Sequence, residues 1–103
     1  MKNKIEEARD MINEVDQQMI SLFIKRMAAV SMVAEYKAEN NLPILDVSRE
    51  DDIREKNLQI LSNKMLESYY NTFFDGILKA SKDYQMDLVK MYEDSKKWNN
   101  IVF

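Results

Sequence analysis

From Lys4 to about Asn40 the chain runs without a glycine or a proline. Its apolar residues Ile5, Ala8, Ile12, Val15, Met19, Leu22, Ala29, Val33 and Tyr36 recur in steps of three, four or their sum. That spacing predicts one amphipathic helix. About 36 residues at a rise of about 1.5 Å make a rod of roughly 54 Å. A compact globule of 103 residues has a radius of gyration of only about 13 Å. One copy of the chain cannot cover such a rod. The simplest remedy is a second copy, with long helices side by side. A plain coiled coil would leave the rest of the chain unexplained.

Asn40-Asn41-Leu42-Pro43 is the first stop signal, because asparagine takes a helix-ending conformation and proline cannot continue the helix. A second, short helix is expected over about Ser48 to Leu61. Asp46 or Ser48 can cap it, and Asp51 and Asp52 suit its first turn. Ser62-Asn63 is the next break. A third helix follows from about Lys64 to the low nineties, with Leu66, Tyr69, Tyr70, Phe73, Phe74, Ile77, Leu78, Leu88 and Tyr92 on its stripe. Gly76 costs that helix stability and offers a place of close approach. The eight methionines read as adaptable core filler. The expected fold class is all-α, with residues 1–94 as one helical domain. Residues 95–103, with Trp98, Ile101, Val102 and Phe103, form a tail that either docks or hangs free.

Composition removes several function classes. One Gly and one Pro argue against a fold of many tight turns. With no Cys and no His, disulfides, thiol chemistry, most zinc sites and imidazole acid–base work fall away. No metal site is expected. Fifteen Lys and Arg against eighteen Asp and Glu give a net charge of −3, which disfavours general nucleic-acid binding. No apolar run approaches the roughly 18–20 residues that span a bilayer. The N-terminus turns acidic where a signal peptide turns apolar. A soluble, cytoplasmic protein with no nucleic-acid or membrane partner is expected. Within 103 residues no second catalytic or regulatory domain fits, although the chain can also be read as one piece of a longer fusion.

Polar residues interrupt the apolar seams. Arg26 takes the seam position after Leu22, among Phe23, Ala29 and Val30. Burying an unpaired cation costs several kcal/mol, so Arg26 requires a protein carboxylate, a route to solvent or an anionic ligand. Lys37 lies eleven residues on, close to three whole turns, so it points the same way about 16 Å further along. A cation near a helix end is also ordinary dipole complementarity. Arg9 lies seventeen residues before Arg26, about 25 Å away and rotated by about 100°. It is either a surface residue or, in an intertwined dimer, a contributor to the other copy's site. Arg49 and Glu50 open the second helix beside Asp46, where capping and dipole effects alone account for them. Ser81 and Gln85 share a face of the third helix and require partners or water. Together these residues describe a pocket of several cations, one or two carboxylates and two neutral hydrogen-bonding groups. Nothing in it is an obvious nucleophile. Such a pocket suits a small polyanion, or a reaction catalysed by positioning and electrostatics.

The order of these residues resembles the all-helical chorismate mutases of the AroQ type. The resemblance runs from about Ile5 to Gln85. It rests on Ala8-Arg9-Asp10-Met11-Ile12 with Val15-Asp16, on Leu22-Phe23-Ile24-Lys25-Arg26 and on Val33-Ala34-Glu35-Tyr36-Lys37. Its most specific piece is Pro43-Ile44-Leu45-Asp46-Val47-Ser48-Arg49-Glu50, and Ser81 and Gln85 complete it.

The resemblance implies an intertwined homodimer of three-helix protomers, each long first helix spanning both active sites. It implies conversion of chorismate to prephenate, on the way to phenylalanine and tyrosine, by a cofactor-free pericyclic rearrangement. Arg26, with Arg9 of the partner copy, would hold the two substrate carboxylates. Lys37 and Gln85 would donate to the ether oxygen. Glu50 and the backbone at Asp46 would take the ring hydroxyl. Ser81 would assist a carboxylate, and Arg49 would supply field and orientation. Two rival readings remain: an isochorismate pyruvate lyase of the same fold, and a non-catalytic helical dimer module.

Overall fold

The computed structural model describes the backbone of residues 1–102 and the side chains of residues 1–96. The chain forms α1 (Lys4–Glu39), α2 (Val47–Ile60), a 3-10 turn (Lys64–Leu66) and α3 (Glu67–Val102). No strand occurs among the described residues, so the fold is the all-α, three-helix arrangement with the long first helix that the periodicity predicts.

Local chemistry sets the helix ends. Asn3 caps α1, its side-chain oxygen accepting from the Glu6 N–H at 2.9 Å. At the other end Asn41 sits at φ 53°, in the left-handed region that asparagine tolerates. The Leu42 N–H then reaches the Lys37 carbonyl at 2.9 Å, which is the closing bond of a Schellman motif. Asp46 caps α2, accepting from the Arg49 N–H at 3.0 Å. The Asn63 side chain accepts from the Met65 N–H at 3.1 Å and holds the break before α3.

Two boundaries differ from expectation. Residues 64–66 wind as a 3-10 turn, because the Asn63 cap tightens the first turn. α3 continues through Val102 rather than stopping in the low nineties. Nothing after Gly76 is a glycine or proline, so no residue there is a strong helix breaker. The apolar tail side chains at Trp98, Ile101, Val102 and Phe103 lie outside the described residues.

α1 and α3 run in the same direction. Met19, Leu22 and Phe23 lie beside Phe73, Gly76 and Ile77, and Ala34 and Ala38 lie beside Leu88 and Tyr92. Val30, Ala34, Phe74 and Leu78 are the buried apolar residues among those described. α2 supplies the return path and buries no residue fully. Polar contacts tie it down instead. Arg54 donates to the Asn71 side chain at 3.1 Å, pairs with Asp75, and lies 5.3 Å from the centre of the Phe74 ring. Asn57 donates to the Tyr70 hydroxyl at 2.8 Å, and Tyr70 stacks on Phe74 with ring centres 5.7 Å apart.

Much of the predicted stripe stays uncovered. Ile5, Ile12, Val15, Leu22 and Phe23 are each half exposed or more. The radius of gyration is 18.8 Å and the longest dimension 68 Å. A side-chain carbon added at Gly76 would meet nothing within 4 Å, so the close approach expected there is not made within one chain. No helix among the described residues is long and apolar enough to cross a membrane.

The attachment of α2 gives a stability prediction. Arg54→Ala removes the cation over Phe74 and the bonds to Asn71, and is expected to cost about 1–2 kcal/mol. A urea midpoint unchanged from the parent would show that α2 is held by something else.

Candidate active site

Three segments meet around one cleft of about 270 Å³. α1 contributes Arg26 and Lys37 with Val30 and Val33 between them. The connection and the start of α2 contribute Ile44, Asp46, Arg49, Glu50 and Ile53. α3 contributes Leu78, Ser81, Lys82 and Gln85. The Schellman closure of α1 brings the connection back over Lys37, whose Nζ donates to the Ile44 carbonyl at 2.7 Å. The Asp46 cap then orients the first turn of α2, with the Glu50 N–H on the Asp46 carbonyl at 3.0 Å.

The polar contacts across the cleft are specific. Arg26 donates through Nη1 to the Ser81 hydroxyl, which in turn donates to the Ile77 carbonyl at 2.8 Å. Lys37 Nζ donates to Gln85 Oε1 at 3.2 Å. Ser81 and Gln85 are buried, and Arg26 and Lys37 are half-buried. Among the described residues no carboxylate forms an ion pair with Arg26 or Lys37. Of the three remedies open to Arg26 in the sequence, a protein carboxylate is therefore not the one used. Neutral oxygens hold both cations, and their charge is left to act on an anion.

The Lys37 contact also fixes the Gln85 amide. Its oxygen is occupied, so its NH₂ group is turned to donate elsewhere. The cleft as a whole carries Arg26, Lys37, Arg49 and Lys82 against Asp46 and Glu50. It holds a surplus of two positive charges in a chain whose net charge is −3. Val30 and Leu78 give it an apolar floor.

Seven of the eight residues singled out in the sequence thus converge: Arg26, Lys37, Asp46, Arg49, Glu50, Ser81 and Gln85. Arg9 does not line this cleft and lies exposed toward the far end of α1. Lys82 was missed. It lines the cleft and pairs with Glu50 at 3.2 Å. Its signal was present, since Leu78, Ser81, Lys82 and Gln85 follow the spacing i, i+3, i+4, i+7 of one helix face.

A family model described as chorismate mutase type II matches residues 8–86. The chain belongs to that family. The matched span takes in all eight of the expected site residues and Lys82. A bifunctional chorismate mutase/prephenate dehydratase from Buchnera aphidicola subsp. Baizongia pistaciae is 34% identical over 98 residues, covering 93% of this chain and 26% of the relative. The protein of the same name from Buchnera aphidicola subsp. Schizaphis graminum is 32% identical over 92 residues, covering 88% of this chain and 24% of the relative. The chain thus spans about a quarter of the length of the curated relatives it matches. No solved structure matches it significantly.

Proposed function

We propose that this chain is a chorismate mutase, converting chorismate to prephenate in the biosynthesis of phenylalanine and tyrosine, in the cytoplasm. The observation that carries this reading is the pair of half-buried cations, Arg26 and Lys37, held only by neutral oxygens. The family match and the chorismate mutase named in the relatives support it.

The substrate is a dianion with an enolpyruvyl ether on a hydroxylated ring. In the rearrangement the ether carbon–oxygen bond breaks as a carbon–carbon bond forms, with no atom gained or lost. No proton need move, which suits a cleft without histidine or cysteine. Arg26 grips one carboxylate, held in place by Ser81, since a guanidinium fork matches that group. Lys37 and the Gln85 amide donate to the ether oxygen from two sides. Negative charge grows on that oxygen as its bond breaks, so these contacts strengthen toward the transition state. Glu50 and the backbone at Asp46 take the ring hydroxyl, while Arg49 adds positive field. The apolar floor holds the folded conformer and supplies the entropic share.

The second carboxylate falls to Arg9 of a partner copy, in a homodimer. The exposed surface supports this. The chain exposes 8729 Å², whereas a compact monomer of 12.2 kDa exposes about 6,000 Å². The excess is of the size that obligate dimers bury.

The first experiment is consumption of chorismate with the product identified by NMR, isochorismate being run in parallel. Prephenate as the sole product is expected. Pyruvate and salicylate from isochorismate at higher efficiency would transfer the chain to the lyase reading. Lys37→Ala is expected to cost about 3–5 kcal/mol, or roughly 10²–10⁴ in rate, and turnover within a few-fold of the parent would overturn the mechanism. Because an amide donates without needing a proton first, the parent's activity is expected to stay level between about pH 5 and pH 8. Gln85→Glu should instead favour the acid end, and a parent that loses activity steeply over that range would count against Gln85.

Mixing tests Arg9. Arg9→Ala and Arg26→Ala chains, each inactive alone, should on exchange recover about a quarter of the parent activity, because half the dimers then hold one intact site. No recovery in exchanged dimers would place Arg9 outside the partner's site.

A further inference from the structure

We propose that Lys82 is a positioning residue that holds the Glu50 carboxylate for recognition of the substrate's ring hydroxyl, and so sets selectivity for a hydroxylated dianion. The proposal rests on the mutase reading and adds to it a residue that the reading does not use. Lys82 stands on α3 between Ser81 and Gln85, and its Nζ lies 3.2 Å from Glu50 Oε1 on α2. Among the described residues this is the one ion pair formed between two groups lining the cleft.

Fold stability does not account for the pair. The Lys82 and Glu50 side chains are 36% and 23% exposed, and pairs open to solvent contribute little. Arg54 and Asn57 already fasten α2 to α3. What the pair does is local. One Glu50 oxygen is engaged by the ammonium, which limits the carboxylate's rotation and leaves the other oxygen to accept a hydroxyl hydrogen. Lys82 also offsets a negative charge that would otherwise oppose an incoming dianion. Without it, three cations would face two carboxylates in the cleft.

The test is steady-state kinetics on chorismate and on the analogue lacking the ring hydroxyl. The variants are Lys82→Met, Lys82→Arg, Glu50→Gln and the Lys82→Met, Glu50→Gln double variant. Lys82→Met is expected to raise KM for chorismate about tenfold while kcat stays within about threefold. Preference for chorismate over the analogue should fall about tenfold, as when a site loses a hydroxyl partner. That preference is a ratio, so the fraction of folded protein does not affect it. Lys82→Arg should restore most of it. In the Glu50→Gln background, Lys82→Met should change the preference no further.

An unchanged preference in Lys82→Met, or an equal further loss in the Glu50→Gln background, would overturn the role given to Lys82 and leave the mutase reading standing. A folded parent that converts no chorismate would overturn the mutase reading itself, and this role with it.

Discussion

The site depends on how one face of α1 meets one face of α3. On α1 the sequence of side chains is Arg26, Val30, Val33 or Ala34, and Lys37, so a cation stands at each end of an apolar stretch. On α3 it is Phe74, Leu78, Ser81 and Gln85, where an apolar face turns polar but stays uncharged and buried. Packed in parallel, the two faces set Ser81 against Arg26 and Gln85 against Lys37. A register slip of one turn would set Arg26 against Leu78 in one direction or Lys37 against Leu88 in the other, and neither side chain could accept a hydrogen bond. The apolar contacts and the polar pairs therefore select the same alignment, a consistency that specifies one structure.

Neutral acceptors are the important choice. A carboxylate at position 81 or 85 would satisfy the same donors and would also cancel their charge. A hydroxyl and an amide satisfy geometry while leaving the field positive. The Gln85 amide goes further, because accepting from Lys37 at one end turns its donors outward at the other. The groups that hold the cations thus also extend the set of donors facing the cleft. Around this pair the carboxylates are placed apart: Asp46 is spent on the helix cap, and Glu50 is met by Lys82.

Much of this was legible in the residues. The length of α1, the stop at Asn40–Pro43 and the shared face of Arg26 and Lys37 follow from local rules of period and capping, while those rules leave Asp46 and Ser48 as equal cap candidates and the structure selects Asp46. The partner of Arg26 did not follow, because a carboxylate and a ligand satisfy the same sequence pattern. Only the packing shows that Ser81, fifty-five residues away, fills that place. Lys82 escaped for a related reason. It sits at the edge of the α3 face, and whether an edge cation turns to solvent or to a neighbour depends on where α2 returns. The role of Arg54 was equally hidden, since its partners Asn71, Phe74 and Asp75 lie on another helix. The end of α3 lies beyond the last residue of its apolar stripe, Tyr92, because a helix without a glycine or proline to stop it can outrun the face that packs.

The uncovered half of α1 closes the physical account. Its apolar stripe stays exposed on both sides of Leu22, Val33 and Tyr36 included, and the α1 residues that α3 buries are Val30 and Ala34, one step round the helix. The groove beside it, about 430 Å³ with Met19, Leu22, Phe23, Phe73 and Gly76 in its walls, shares Arg26 with the candidate cleft. Anything that fills this groove therefore packs against the stem of a proposed substrate-binding arginine. Gly76, which no side chain of its own copy crowds, leaves room there for another helix. In the dimer proposed above, covering the stripe and supplying Arg9 are one event. Association would bury apolar surface, exclude water from one side of Arg26 and complete the set of cations. Stability and activity are then coupled through the same residues, and a change that loosens the groove should weaken the grip on a carboxylate without touching the substrate.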